Sequence, residues 1–244
     1  MATETEIKLK VRDDKRLQRS LKRLKAEPVS KTSPRVHEFN VIFDHENGAL
    51  AKRGQLLRIR TETTEPSKKK SAKKTAPMAW KQRVLLTFKR PTDDGEASSS
   101  GHPPAHTSGR ITGRYKIREE LELEVSDAGA LTKIFEGLGM AGWFRYEKYR
   151  TTYALGKSQG WAKGLLIEVD ETPVGTFLEL EGPVAAIDRA AEELGFTKGD
   201  YINKNYLALY VDECRKRGEE PRHMLFGPAK PAKSAAKSTA VGKK

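Results

Sequence analysis

The 244-residue chain has one cysteine, Cys214, and five scattered histidines. A single cysteine excludes an intramolecular disulfide, and so few histidines argue against a structural zinc site. No apolar run approaches the length of a membrane span, and the first residues alternate as a strand does instead of forming an apolar leader. The expectation is a cytoplasmic protein. What the sequence has in quantity is charge: 32% of its residues are charged and the net charge is +13.

That excess is unevenly placed. Residues 63 to 79 carry five lysines against Glu65, a balance of +4, and residues 215 to 244 carry nine Lys/Arg against Glu219 and Glu220, a balance of +7. Together they hold +11 of the +13, which leaves the body of the chain close to neutral. Both stretches are poor in apolar residues, as is the Gly/Ser/Pro/His stretch 92 to 113, and none can bury enough to order itself. The reading is one domain over residues 1–214 with disordered insertions near 63–79 and 92–113, then a basic low-complexity tail over 215–244. The tail is a candidate for contact with nucleic-acid phosphates and equally for a solvated extension.

Within the body, one pattern repeats. In TETEIKLKV (3 to 11), Glu4, Glu6, Lys8 and Lys10 share one strand face while Thr5, Ile7, Leu9 and Val11 share the other. Similar alternation recurs in LLRIRTE, LLTFKR, KIREELELEV, EKYRTT, LIEVD and FLELEG. Eight strands are expected, near 3–11, 36–44, 55–62, 80–90, 115–125, 143–155, 164–170 and 176–182. Short connections between them favour an antiparallel sheet that closes into a barrel.

Helices are expected after Asp13-Asp14, with Leu17, Leu21 and Leu24 in a stripe, and after Ser126-Asp127, with Leu131, Ile134, Phe135 and Leu138. Two more are expected after Pro183 and over 203–213. The fold class is therefore α+β, mainly β: an eight-stranded antiparallel closed barrel with helices packed outside. The apolar strand faces (Ile7, Leu9, Leu57, Ile59, Leu86, Phe88, Leu121, Leu123, Ile167, Val169, Leu178, Leu180) would lie under the helices, and the charged faces would line the lumen.

The expected lumen holds Lys8, Arg58, Arg60, Lys89, Arg118, Lys148 and Arg150. Opposite them stand Glu4, Glu6, Glu120, Glu122, Asp170, Glu179 and Glu181. Converging Arg and Lys suit a polyanion, Arg in particular gripping phosphate with two prongs. Carboxylates cannot bind that anion, but they are hard oxygen ligands for Mg²⁺ or Mn²⁺ that bridge to substrate phosphates. Cations and carboxylates together describe a site for a metal–polyphosphate complex.

These residues resemble the CYTH family, the triphosphate tunnel enzymes. Glu4-Thr5-Glu6-Ile7-Lys8 has the E-x-E-x-K form that opens such proteins, and Arg58 and Arg60 match an R-x-R strand. Lys89 matches a lysine after an apolar run, Arg118, Glu120 and Glu122 an R-x-E-x-E strand, and Lys148, Arg150 and Tyr153 a K-x-R-x-x-Y strand. Asp170 precedes the Gly-x-Phe-x-Glu-x-Glu formed by Gly175, Phe177, Glu179 and Glu181. The resemblance runs from about residue 3 to 213, leaving out the two insertions.

The resemblance implies a tunnel in which the seven cations grip a triphosphate. Lys8, Arg58, Arg60, Lys89, Lys148 and Arg150 would also act in catalysis, and the seven acidic residues would hold the metal. The blocks RYEKYRTTY and VDETPVGTFLELEG, with Asp200-Tyr201 before the last helix, look most like the class IV adenylyl cyclase branch, which converts ATP to cyclic AMP and pyrophosphate. The alternative is a triphosphate phosphohydrolase of the inorganic triphosphatase or thiamine triphosphatase type. A non-catalytic polyphosphate or nucleic-acid binder is the reading from a different class. The sequence leaves a homodimer open.

Overall fold

The computed structural model describes residues 2–31, 33–64, 81–92, 110–112 and 114–227. Among these described residues, ten strands and five α-helices follow one another: β1 (Ala2–Lys10), α1 (Asp14–Arg23), β2 (Ala26–Pro28), β3 (Arg35–His45), α2 (Ala49–Lys52), β4 (Leu56–Thr64), β5 (Lys81–Pro91), β6 (Arg110–Thr112), β7 (Tyr115–Val125), α3 (Ala128–Gly137), β8 (Met140–Leu155), β9 (Leu166–Thr172), β10 (Gly175–Glu181), α4 (Val184–Glu193) and α5 (Tyr206–Arg217). Eight of the strands form a ring in the order β1, β10, β9, β8, β3, β4, β5, β7. The ring closes because β1 pairs with β10 on one side, Lys8 opposite Glu179, and with β7 on the other, Glu4 opposite Arg118. Every pairing is antiparallel, so the expected closed barrel is the observed one. The two short strands are additions, β2 beside the end of β8 and β6 beside the start of β7.

The helices start and stop where local chemistry dictates. Asp13 caps α1 by accepting from the Arg16 N–H at 2.9 Å, while Lys22 and Arg23 sit in its last turn, where cations suit the carbonyl end. Asp127 caps α3 through Gly129 and Ala130, and Asn205 caps α5 through Ala208. The helix α5 ends at Gly218, whose φ of 68° is the left-handed region that glycine adopts without a Cβ penalty.

The core lies outside the barrel wall. Leu17, Leu21 and Leu24 of the α1 segment and Ile187, Ala190 and Ala191 of α4 pack on Ile7, Leu9, Ile167, Leu178 and Leu180. A second cluster places Phe135 of α3 on Phe43, Ile59 and Val84. A third, at one end of the barrel, joins Tyr206 of α5 to Phe144, Tyr146, Phe177 and Met224. Among the described residues, no helix is long and apolar enough to cross a membrane.

Four apolar residues assigned to the core from their spacing are outside it. Leu121 and Leu123 on β7 and Ile134 and Leu138 on α3 are exposed. The helix α3 packs on β3, β4 and β5 through Phe135, Leu131 and Ala128 and meets β7 at Val125, and Leu121 and Leu123 are outside that cluster. The insertions are also shorter than expected. Thr63 and Thr64 continue β4 against Gln82 and Lys81, and Arg110–Thr112 is a strand on β7; most of the rest of both stretches lies outside the described residues.

The expected tail boundary moves furthest. The strand β8 is 16 residues long and β9 only seven; β9 meets β8 only from Tyr149 to Tyr153. Residues 145–147 of β8 would therefore present an open edge, and unpaired backbone groups are costly when enclosed. A strap formed by residues 222–226 covers it. The Met224 N–H donates to the Arg145 carbonyl at 3.0 Å, and the Glu147 N–H donates to the Met224 carbonyl at 2.9 Å. Met224 itself is 0% exposed, so a stretch read as tail supplies part of the core. Residues 228–244 lie outside the described residues.

This boundary predicts two truncations with opposite results. A chain ending at Gly227 should melt as the full-length protein does. A chain ending at Gly218 loses the side chain of Met224 and reopens the β8 edge, which should cost about 2–5 kcal/mol from the buried methionine alone. Urea unfolding of the two truncations measures the difference.

Candidate functional site

Alternate residues of each barrel strand point inward, and the lumen is built from those positions. The seven cations expected there, Lys8, Arg58, Arg60, Lys89, Arg118, Lys148 and Arg150, all line one cavity. Lys116 joins them from β7. All are buried except Arg60 and Arg150, which are partly so. One end of the cavity is walled by Asn205, Tyr206 and Leu207 at the start of α5, with Ile42 and Leu56. The Lys8 ammonium lies 4.4 Å from the centre of the Tyr206 ring. At the other end of β1, Glu4, Glu120, Glu122, Glu168 and Glu181 line a second cavity, outnumbering Arg60, Lys89 and Arg150 in its wall. The lumen thus runs from a basic end closed by α5 to an acidic mouth.

The acidic residues expected in the lumen divide by what they touch. Asp170, Glu6 and Glu179 are committed to cations. Asp170, fully buried, accepts from Lys148 at 2.9 Å, from two Arg150 nitrogens at 2.7 Å each and from the Tyr206 hydroxyl at 2.6 Å. Glu6 takes Lys116 at 3.0 Å and Arg118 at 3.3 Å; Glu179 takes Lys8 and Arg150. Burial pushes the Glu6 and Glu179 carboxyls up, but those neighbouring cations hold both well below the usual carboxylate range.

Glu4 and Glu120 share Lys89 at 2.5 and 3.0 Å, and among the described residues Glu122 accepts only from the Thr87 hydroxyl at 3.1 Å. Glu181 has no ion pair or hydrogen bond among the described residues. Burial, followed by the charges of Glu4 and Glu168, pushes it up to about 8.

Several lumen residues escaped the sequence reading. Lys116 and Glu168 each stand two residues before a residue that was found (Arg118, Asp170), so strand period alone placed them on the same face. Glu38 and Asn40 lie on β3, whose inner face carries too little charge to match the repeated pattern. Glu38 is 1% exposed and is met by Arg60 at 3.4 Å, Lys148 at 3.4 Å and Arg150 at 3.6 Å. Burial raises its carboxyl, and Arg60 first, then Lys148 and Arg150, overcome this and drive it far below the usual range.

The tyrosines divide between the two sides of the wall. Tyr201 donates to Asp188 outside the barrel, and Tyr153 packs with the outer core. Tyr146 and Tyr206 reach the lumen instead.

Charge is not shared evenly around the cavity. Arg150 serves Glu38, Glu168, Asp170 and Glu179; Glu38, Asp170 and Glu179 each have a further cation, whereas Glu168 has no other ion pair among the described residues. Burial, with Asp170 and Glu179 adding to it against the pull of Arg150, pushes Glu168 up to about 7. At the basic end the shortage is of anions. Arg58 has no carboxylate within ion-pair distance among the described residues. It donates to the Tyr146 oxygen and the Thr87 hydroxyl, each at 3.1 Å, and its Nε, like that of Arg118, has no acceptor. Burial, then the adjacent Arg118 charge, pushes Lys116 down to about 8.

An anion seated beside Arg58, Lys116 and Arg118 would satisfy both free N–H groups and relieve the repulsion. A phosphate chain has the acceptor density to do so.

Among the described residues, no three His, Cys, Asp or Glu side chains stand arranged as a metal site. The donor chemistry of the acidic mouth still fits a divalent cation. Its groups are hard oxygens, and burial, with like charge adding to it, lets Glu168 and Glu181 hold protons near neutral pH. Glu6, Glu179 and Asp170, already engaged by cations, fit that role less well.

The family model for the CYTH domain matches residues 2–206. No curated protein matches the chain significantly. Among solved structures, a candidate adenylate cyclase from Vibrio parahaemolyticus aligns with a TM-score of 0.58 at 14% identity, over 85% of this chain and 97% of that one. A Pyrococcus horikoshii protein aligns at 0.59 and 19%, over 86% and 99%. A conserved hypothetical protein from Pyrococcus furiosus aligns at 0.55 and 21%, over 84% and 99%. At these identities the likeness is one of fold.

Two outcomes follow from the charge arrangement. Because Glu168 and Glu181 hold protons in the folded state that the unfolded chain releases near pH 4.5, folding stability should fall as pH rises from about 4.5 to about 8. Melting temperatures at pH 5.5 and 8 without divalent ions test the sign, and added Mg²⁺ or Mn²⁺ should restore stability at pH 8; a flat or rising profile contradicts it.

The arginines separate as well. Arg60→Ala leaves Glu38 buried with one cation fewer and should cost about 1–3 kcal/mol. Arg58→Ala removes a charge with no carboxylate to balance it and should leave the melting temperature unchanged or raised.

Proposed function

The chain belongs to the CYTH domain family, and from that premise we propose that it is a metal-dependent enzyme whose substrate is a triphosphate bound in the basic half of the barrel. The observation that carries this reading is Arg58, a buried cation with no carboxylate partner, standing in one cavity with Lys116 and Arg118, which share Glu6. A site that only needed structural ion pairs would place a carboxylate there.

The reaction we assign is that of a class IV-type adenylyl cyclase. The ribose 3′-hydroxyl of ATP attacks the α-phosphorus, the bond to the bridging oxygen breaks, and pyrophosphate leaves as cyclic AMP forms. Beside the phosphate-binding cations, the cavity wall has three apolar side chains, Ile42, Leu56 and Leu207. They suit the organic part of a nucleotide and would be wasted on inorganic triphosphate.

Arg58, Lys116 and Arg118 would hold the phosphate chain. Lys8 and Lys148, flanking the Tyr206 ring, would neutralise charge that grows on the leaving oxygens, the effect that dominates phosphoryl chemistry. Glu4, Glu120, Glu168 and Glu181 would hold Mg²⁺ or Mn²⁺. The ion, when bound, supplies Lewis-acid stabilisation of phosphate oxygens. The proton released by the attacking hydroxyl passes to water in the lumen.

The phosphohydrolase alternative uses the same residues, with water attacking the terminal phosphorus. Products separate the two. ATP, inorganic triphosphate and thiamine triphosphate are supplied side by side with Mn²⁺. Cyclic AMP and pyrophosphate from ATP are expected, and orthophosphate from any of the three would establish the hydrolase. EDTA should abolish turnover. Arg58→Ala should forfeit about 2–4 kcal/mol of transition-state stabilisation, at least about a hundredfold in kcat/KM. Turnover near wild type in that variant would remove Arg58 from the site.

A further inference from the structure

The strap lies beyond the residues matched by the family model, which ends at 206, yet its central side chain reaches the back of the site. Met224 is packed in one cluster with Phe144, Tyr146, Phe177 and Tyr206. The rings of Tyr146 and Tyr206 stand 6.1 Å apart, and the hydroxyls of both point into the lumen. That of Tyr146 accepts from Arg58 at 3.1 Å, and that of Tyr206 donates to Asp170 at 2.6 Å. Asp170 in turn holds Lys148 and Arg150. A single buried side chain from the strap therefore backs the two tyrosines that set the positions of three lumen cations.

The strap is fastened at several points, all on β8 and α5. Besides the two backbone bonds at Met224, the Phe226 N–H donates to Glu147 at 2.9 Å and the Phe226 ring stands 5.2 Å from that of Tyr149. The Arg222 N–H donates to the Tyr210 hydroxyl at 3.3 Å, tying the strap to the helix that carries Tyr206. A segment needed only to cover an edge would be served by the backbone bonds alone. The fully buried methionine, an unbranched side chain that fills irregular space, couples the strap to the tyrosines.

We propose that Met224 is a positioning residue for the triphosphate site: through the Tyr206 ring it fixes the hydroxyl on Asp170, and with it the placement of Lys148 and Arg150. This rests on the reading of the lumen as a triphosphate site. Removing the methionine side chain lets the Tyr206 ring shift, and a displacement of about 1 Å is enough to misplace a charge-assisted contact.

The test is a double-mutant cycle on the full chain, read as the dissociation constant for inorganic tripolyphosphate with Mg²⁺ by calorimetry, well below each variant's melting temperature. Met224→Ala should weaken binding about tenfold, and Met224→Leu should stay within about threefold of wild type. In a Tyr206→Phe background, which already lacks the hydroxyl, Met224→Ala should add less than about threefold. Phe226→Ala loosens the strap without emptying the core, so it serves where Met224→Ala does not fold; it should weaken binding in the wild-type background and not in Tyr206→Phe.

A purely structural methionine would lower the melting temperature in both backgrounds and leave the dissociation constant of the folded protein unchanged, which would overturn the proposal. Equal losses in both backgrounds would overturn it too. A wild-type protein that does not bind tripolyphosphate would instead overturn the triphosphate reading, and this proposal with it.

Discussion

Charge buried inside a closed wall is the constraint on which this structure depends. Eight Lys and Arg side chains converge in the lumen, and enclosing even one unpaired charge costs several kcal/mol. The fold meets that cost by alternating signs on neighbouring strands. Lys8 on β1 faces Glu179 on β10, Lys89 on β5 faces Glu120 on β7, and Lys148 and Arg150 on β8 face Asp170 on β9. Such pairs hold one another in place more than they stabilise the fold. Replacing them with apolar side chains would cost little in stability, but the lumen would then bind nothing charged. The barrel's stability comes from the other side of the wall, where helices α1, α3 and α4 cover its apolar face.

The one-sided helices and the two-faced strands explain why so much was legible before any coordinates. A strand whose alternate residues are charged on one face and aliphatic on the other has only one consistent placement in a closed sheet, so Ile7, Leu9, Leu178 and Leu180 had to face helices. Lys8 and Glu179 then had to line the lumen, where they stand side by side on paired strands. What was not legible depends on reach, which period does not encode. Leu121 and Leu123 have the same alternation as Leu178 and Leu180, but the helices meet β7 at Tyr115 and Val125 and leave those two leucines exposed between them. Glu38 was missed for the converse reason: its strand carries one acidic residue and an asparagine on the inner face, and that pattern taken alone is ordinary. The strap over β8 could not be seen either, because it answers a mismatch between the lengths of β8 and β9 that exists only once both strands are paired.

The way the lumen distributes its compensation is informative in itself. Arg150 is over-subscribed, with four carboxylates around one guanidinium, while Arg58 has none. A structure selected only for neutrality would even this out, since a shift of charge partners between β4 and β8 needs a single substitution on either strand. The imbalance places surplus anion at the mouth, where Glu168 and Glu181 resist ionisation, and surplus cation at the end closed by α5, where Lys116 resists protonation. Each end is therefore strained in the direction that a ligand of opposite sign would relieve.

On the proposed reading that polarity also orients the substrate. A triphosphate that enters by the mouth must first pass carboxylates that repel it, unless its charge is already partly neutralised. The other end offers no easier route, since Asn205, Tyr206 and Leu207 stand across it and α5 is fastened by the strap. The acidic mouth thus disfavours a bare polyanion and favours one that arrives with a divalent ion, which those carboxylates can share. Beyond them, Arg58 and Arg118 each keep one N–H without an acceptor. Phosphate oxygens reaching that depth exchange water for preorganised donors that need no rearrangement, the condition under which charge-assisted contacts favour a transition state over the ground state. Discrimination at the mouth and unsatisfied donors at the closed end are then consequences of one arrangement, the unequal sharing of charge along a single lumen.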